Sequence, residues 1–312
     1  MEGKQLVNKI IENVRKVIIG KDREIYNILK GIISEGHILI EDVPGVGKTT
    51  LVKALAKSLD LTYSRIQFTP DLLPSDITGV SVYNQKNMEF EFRKGPIFAN
   101  IILADEINRT SPKTQSALLE VMEENHVSEG NNTFRLEKPF FILATQNPIE
   151  MEGTFTLPEA QLDRFIMKIK IGYPDKKQES KILEVYRENE PLDSITAIAG
   201  TNDILNLQKN VRKVYASSEI NDYIVRIADA TRNNKNLILG VSTRAAMALL
   251  RVCQATALIN GRDYVIPEDI KENAVMVLSH RICISSNVRV NNYDSEDIIE
   301  DILQNVPVPK VK

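Results

Sequence analysis

Between Lys4 and Val17 the apolar residues Leu6, Val7, Ile10, Ile11, Val14 and Val17 recur at helical spacing, and Ile18-Ile19-Gly20 breaks the pattern. A second helix is predicted from about Asp22 to Ser34. The short apolar run from His37 to Glu41 then reads as a buried strand, followed by a Pro/Gly loop and a helical stretch from Lys48 to Leu59. Further apolar segments at Tyr63–Phe68, Ile101–Ala104, Phe140–Ala144 and Phe165–Ile171 alternate with helical patterns such as Thr114–Glu124. That alternation predicts a parallel sheet with crossover helices. Two stretches interrupt it and read as hairpins. Val80, Val82, Met88, Phe90 and Phe92 alternate around the polar turn Asn84–Asn87, and Val127, Phe134 and Leu136 flank Gly130-Asn131-Asn132.

After Gly172-Tyr173-Pro174 the strand pattern stops and helices follow one another, at roughly 176–189, 203–213, 219–233, 242–260, 267–279 and 294–304. The change places a domain boundary near 172–175, dividing the chain into an α/β unit, residues 1–173, and a smaller all-α unit, residues 174–312. The tail from Val306 to Lys312 carries two prolines, which exclude helix.

Composition narrows the class of function. With 312 residues, 43% hydrophobic and 26% charged, the chain has the make-up of a soluble globular protein. A formal charge of −3 gives no global attraction to polyanions, so nucleic acid is not the expected partner. No apolar run approaches the roughly 20 residues that span a bilayer, and Met1–Asn13 does not form a signal-peptide core, so no membrane span and a cytoplasmic location are expected. Cys253 and Cys283 lack the spacing of a zinc or disulfide framework. His37, His126 and His280 are isolated in sequence and read as satisfied or solvated side chains rather than metal ligands.

The candidate chemistry begins with Asp42-Val43-Pro44-Gly45-Val46-Gly47-Lys48-Thr49-Thr50, which follows a predicted strand and opens a predicted helix. Gly45 and Gly47 let the backbone approach oxyanions, the helix N-terminus points N–H groups at them, and Lys48 can reach the β/γ-phosphates of a nucleotide. Thr49 can place its hydroxyl on Mg²⁺. The usual phosphate-loop pattern has Gly where this chain has Asp42, a residue that tolerates left-handed turns better than most.

Asp105 and Glu106 close the apolar strand Ile101-Ile102-Leu103-Ala104, where open α/β sheets expose their ligand crevice. In that position Asp105 can hold Mg²⁺ and Glu106 can polarise an attacking water. The next strand runs into Thr145-Gln146-Asn147-Pro148, which offers Asn147 to orient that water; Asn-Pro is also a plain turn starter. Arg109, Arg164 and Arg244 are available as cations for phosphoryl chemistry, and each could equally form a surface ion pair.

These stretches together resemble the AAA+ superfamily, and specifically its MoxR-type branch. The resemblance is carried by Gly36–Thr49, Arg65–Gly79, Ala104–Arg109, Ala144–Pro148 and Leu157–Phe165, and it extends more weakly to the motif around Arg244. It implies a five-stranded parallel P-loop core with two hairpin insertions, followed by a smaller all-α lid domain. It implies that Pro44 to Thr50 bind ATP, with Lys48 and Thr49 as Walker A residues, Asp105 and Glu106 as the Walker B pair, and Thr49 and Asp105 on Mg²⁺. Asn147 is then the sensor-1 residue, Arg164 the arginine finger given to a neighbouring subunit, and Arg244 the sensor-2 arginine. Ile18, Ile19 and Gly20 line the adenine pocket, and the hairpins point toward a ring pore.

The expected function is an ATP-hydrolysing chaperone that works as a homo-oligomeric ring, usually a hexamer, and remodels a protein client, in such systems often one with a von Willebrand factor A domain. Two alternatives stay open. One is a nucleic-acid translocase, using Lys86, Arg93, Lys94, Arg135 and Lys138 near the hairpins, and the other is a non-hydrolysing nucleotide switch.

Overall fold

The computed structural model describes residues 2–147, 153–187, 190–285 and 294–309, so that Pro148, the end of the predicted helix at 176–189 and the last three tail residues lie outside the described residues. Helices α1 (Glu2–Val14) and α2 (Asp22–Ile33) precede strand β1 (His37–Glu41), helix α3 (Lys48–Ser58) and strand β2 (Tyr63–Gln67). A short helix, α4 (Pro74–Thr78), leads into the hairpin β3–β4 (Gly79–Asn84, Glu89–Lys94). Then come β5 (Ile101–Asp105), α5 (Pro112–Glu124), the hairpin β6–β7 (His126–Glu129, Asn132–Arg135), β8 (Phe141–Gln146), α6 (Glu159–Leu162) and β9 (Phe165–Ile169). The C-terminal part holds α7 (Lys176–Tyr186), α8 (Thr201–Val211), α9 (Ser218–Arg232), β10 (Leu237–Leu239), α10 (Thr243–Ile259), α11 (Pro267–Leu278), β11 (Cys283–Ile284) and α12 (Ser295–Asn305).

The main sheet has the order β2-β5-β8-β1-β9, with every pairing parallel. Its layering follows from the two-residue period of a strand buried on both faces. Ile38, Ile40, Ile101, Leu103, Phe141 and Leu143 enter one apolar cluster with α1, α2, α3 and the C-terminal helices. Leu39, Ile102, Ala104, Ile142 and Ala144 enter a second, covered by Leu118, Leu119 and Met122 of α5. Helix starts are written in side chains that accept orphan backbone N–H groups: Ser111 for α5, Asp175 for α7, Ser217 for α9, Ser242 for α10 and Asp294 for α12.

The structure adds three features that the sequence pattern does not show. The C-terminal part is the helical lid expected, with the addition of an antiparallel ribbon of β10 with β11; these strands are three and two residues long, too short to give a periodic signal. Helices α1 and α2 touch α8 and α10 as well as the sheet side, which joins the two parts through one apolar cluster. Lys30 of α2, fully buried, reinforces the joint by donating to Glu272 Oε1 at 2.6 Å and Asn273 Oδ1 at 3.0 Å on α11.

The third concerns Phe90 and Phe92, which share a face of β4 but not a fate. Phe92 stacks on Phe134 of the other hairpin, ring centroids 4.1 Å apart, whereas Phe90 is 74% exposed beside Tyr83. The aromatic face is therefore packed only where the second hairpin covers it.

Candidate nucleotide site

The phosphate loop leaves the C-terminal end of β1 and α3 begins at Lys48. Gly45 and Gly47 adopt φ of 86° and 84°, a left-handed conformation that costs a residue with a Cβ and costs glycine nothing. A Cβ built on either would meet no atom within 4 Å, so both backbones face open space, and no side chain caps the α3 N-terminus. The exposed N–H groups of that turn are a ready anion cradle. Val46 packs against the core while Pro44 is exposed, and Thr49 and Thr50 lie half-buried in the first turn of α3.

Asp42 does not take a left-handed conformation, so the loop forms without drawing on its tolerance of such turns. Its carboxylate is a hub instead. Oδ1 accepts from Val43 N at 2.9 Å, and Oδ2 accepts from Ile171 N at 2.7 Å and Gly172 N at 2.6 Å. Lys48 Nζ donates to the Asp42 carbonyl oxygen at 3.1 Å.

The acidic pair sits one strand beyond the neighbour of β1 and at the same edge of the sheet. Thr145 of β8 joins its two members: the Oγ1 hydroxyl donates to Asp105 Oδ1 at 2.6 Å and accepts from Glu106 N at 2.8 Å. Arg65 Nη2 pairs with Asp105 Oδ2 at 2.6 Å. Glu106 is held at φ 59° and ψ 51°, a left-handed conformation that costs a non-glycine residue about 1–3 kcal/mol and that clusters at functional sites. Its Oε2 accepts from Gln67 Nε2 at 2.8 Å and Arg109 Nη1 at 3.0 Å. Asn147 is buried one residue past β8, and its carbonyl accepts from Asn108 Nδ2 at 3.3 Å.

Arg164 and Arg244 are elsewhere. Arg164 immediately precedes β9, whose first residue, Phe165, pairs with His37 at the start of β1. The five residues of β1, spanning roughly 16 Å at ~3.3 Å each, separate that end from the phosphate loop. Glu123, at the C-terminus of α5, collects both arginines: Oε2 pairs with Arg164 Nη2 at 2.9 Å and Oε1 with Arg244 Nη1 at 3.2 Å. They border a cavity of about 310 Å³ lined also by His37, Lys138, Asp163 and Arg281.

His37 backs that corner. Its Nδ1 accepts from Ile142 N, so Nε2 carries the proton toward Met122 O, and burial pushes its pKa down to about 4. His126 Nδ1 contacts Glu124 O and His280 Nε2 contacts Phe165 O, each at 3.0 Å. Among the described residues, no three His, Cys, Asp or Glu side chains gather into a metal-holding group.

Comparison with known proteins shows the family. Residues 37–167 match the model of the ATPase family associated with various cellular activities (AAA), and residues 229–302 match the AAA lid domain. Chaperone MoxR1 of Mycobacterium tuberculosis is 42% identical over 314 residues, covering 98% of this chain and 83% of that protein. The chain belongs to the MoxR-type AAA+ ATPases. An uncharacterised Bacillus subtilis protein, YeaC, is 49% identical over 97% of this chain and 95% of its own length. A crystal structure from Cytophaga hutchinsonii superposes with TM-score 0.93 at 45% identity, covering 99% of this chain and 96% of that one.

Within this MoxR-type chain, the geometry adds residues that sequence reading left without a role. Arg65 and Gln67 stand in the Arg65–Gly79 stretch that carried the resemblance, and Thr145 in the Ala144–Pro148 stretch; alternation along β2 and β8 gave no sign that they meet the acidic pair. Glu123 had no motif at all, being one of several acids on α5. Arg109 forms an ion pair, as an arginine on a surface often does, but its partner is Glu106.

Proposed function

We propose that this chain binds and hydrolyses ATP, in a ring whose catalytic sites are shared between neighbouring subunits, and uses the motion to remodel a protein client. The supporting observation is the meeting of the glycine cradle with the Asp105–Glu106 pair at one edge of the sheet, while Arg164 and Arg244 are gathered at the opposite edge. Pro44 to Thr50 would receive the phosphates on backbone N–H groups, and Lys48 would swing from the Asp42 carbonyl toward them. Ile19 and Gly20 would border the base. Thr49 and Asp105 would hold Mg²⁺, which when bound neutralises charge on the phosphate oxygens.

Glu106 is the residue that would take a proton from the attacking water. Gln67 and Arg109 orient its carboxylate, and Thr145 fixes its backbone. Asn147 would align the water from the neighbouring strand. Arg164 and Arg244 cannot reach their own phosphate loop across the length of β1, so they would complete the site of the next subunit, where charge spreads over the transferred phosphoryl group. This makes the active species a closed homo-oligomer, which we take as a hexamer. Residues 1–173 would form its nucleotide-binding part and 174–312 the lid, acting in the cytoplasm on a client of the von Willebrand factor A type.

Lys48→Ala should abolish tight binding of ATP, whereas Glu106→Gln should bind it and turn over at least about 100-fold more slowly. The check is calorimetric binding alongside multiple-turnover phosphate release at assembly concentrations. Parent protein that binds ATP yet releases no phosphate once assembled would instead identify a nucleotide switch.

A further inference from the structure

The junction between the two parts of the chain is held from both sides, by Asp42 of the phosphate loop and by Lys21. Its N–H groups are taken by the phosphate loop: Asp42 Oδ2 accepts from Ile171 N and Gly172 N. Its carbonyls are taken by Lys21, whose Nζ donates to Ile171 O at 2.6 Å and Tyr173 O at 3.0 Å. Lys21 directly follows Ile19 and Gly20, the stretch assigned to the base. Gly20, at φ 74°, is so close to α7 that a Cβ there would come within 2.2 Å of the Gln178 side chain. Gly172, at φ 67°, is the position in this segment free to adopt a backbone conformation that other residues rarely take.

Asp42 has no slack in this arrangement. It is 8% exposed, its N–H donates to Gln146 O at 3.2 Å in the sheet, its carboxylate holds three backbone donors, and its carbonyl holds Lys48. Displacement of the phosphate loop is therefore passed to residues 171–172 through a charge-assisted bond pair rather than through a flexible side chain. The glycine usual at this position of a phosphate loop has no group that could make the connection.

We propose that Asp42 and Lys21 form a two-point clamp that makes the core–lid junction respond to nucleotide, Asp42 reporting the phosphate end and Lys21 the base end. Both are positioning residues. The proposal rests on the nucleotide-binding reading above for its ligand, while the anchoring itself is testable without one. Lid movement follows nucleotide because the junction's donors and acceptors are divided between the two ends of the site.

The chain contains no tryptophan, so Tyr173→Trp supplies a single reporter at the junction, on a side chain that is 69% exposed. Without nucleotide, Asp42→Gly and Asp42→Asn should raise amide exchange at 171–172 by roughly ten- to a hundredfold, the worth of hydrogen bonds to a charged group, with other strands of the sheet unchanged. In the Tyr173→Trp background, saturating Mg·ADP should change the emission. Adding Asp42→Gly or Lys21→Met should remove at least half of that change, with saturation verified by calorimetry.

Unchanged exchange at 171–172 in both Asp42 variants would overturn the anchoring. An undiminished emission change would overturn the coupling. Loss of ADP binding in Asp42→Gly would place Asp42 in the phosphate site itself and overturn its junction role. Absence of ADP binding in the parent would overturn the nucleotide reading and the coupling with it, and only that outcome touches both.

Discussion

Mixing two inactive variants should restore activity if the sites are shared, and the amount restored can be calculated. Lys48→Ala removes the ammonium from the phosphate loop and keeps the arginine corner; Arg164→Ala does the reverse. Each alone should be nearly inactive, since an arginine supplied in trans is worth about 10³–10⁵ in kcat. In a randomly mixed ring at equal proportions, half of the phosphate loops are intact and half of their neighbours carry the arginine. About a quarter of all sites are then complete, whatever the ring size. The same fraction is expected for Lys48→Ala mixed with Arg244→Ala, because Glu123 holds both arginines in one corner, and none for Arg164→Ala mixed with Arg244→Ala. The assay is phosphate release after denaturation-free subunit exchange, with mixing verified by native mass spectrometry. Mixed rings of Lys48→Ala and Arg164→Ala that stay as inactive as the parents would refute the shared site, and would require Arg164 to cross the length of β1 within one chain.

Further predictions concern stability and coupling. His37 is held neutral with a pKa of about 4 against 6.5 when unfolded, so the unfolded state takes up its proton first as pH falls. Stability is complete above pH 6.5 and declines toward pH 4 by about 3 kcal/mol from this residue, and His37→Gln should flatten that part of the urea-midpoint profile. Lys30→Met leaves the buried Asn273 Oδ1 without its donor while Glu272, half exposed, rehydrates; a loss of about 2 kcal/mol in urea unfolding is expected, and a change below about 0.5 would contradict the assigned contact. Phe92→Ala removes the stack on Phe134 and should speed tryptic cleavage at Arg135 several-fold with little change in global Tm.

Much of this was legible in the chain because β1, β5 and β8, the middle strands of the main sheet, are short apolar runs ending in a polar or charged group. The run ending in Asp105 and Glu106 announces a buried strand and its exposed end together. The phosphate loop was legible for the same reason, its glycines and lysine being local in sequence. What stayed hidden was long-range. Glu123 meets Arg164 and Arg244 across 41 and 121 positions, and Asp42 meets Gly172 across 130, contacts set by which ends of α5, β9 and α10 converge. The ribbon of β10 and β11 was hidden by shortness, and the divergence of Phe90 from Phe92 because alternation says which face a residue takes but not whether another hairpin covers it.

The Thr145 hydroxyl has a consequence for how the protein comes to be folded correctly. It reaches Asp105 and the Glu106 amide only because β5 and β8 pair in the register Ile101 with Phe141 through Ala104 with Ala144. A slip by one residue would turn Thr145 to the other face and leave both acids without it. Mispaired molecules would therefore carry the right residues and no working site, so the chemistry inspects the sheet that supports it.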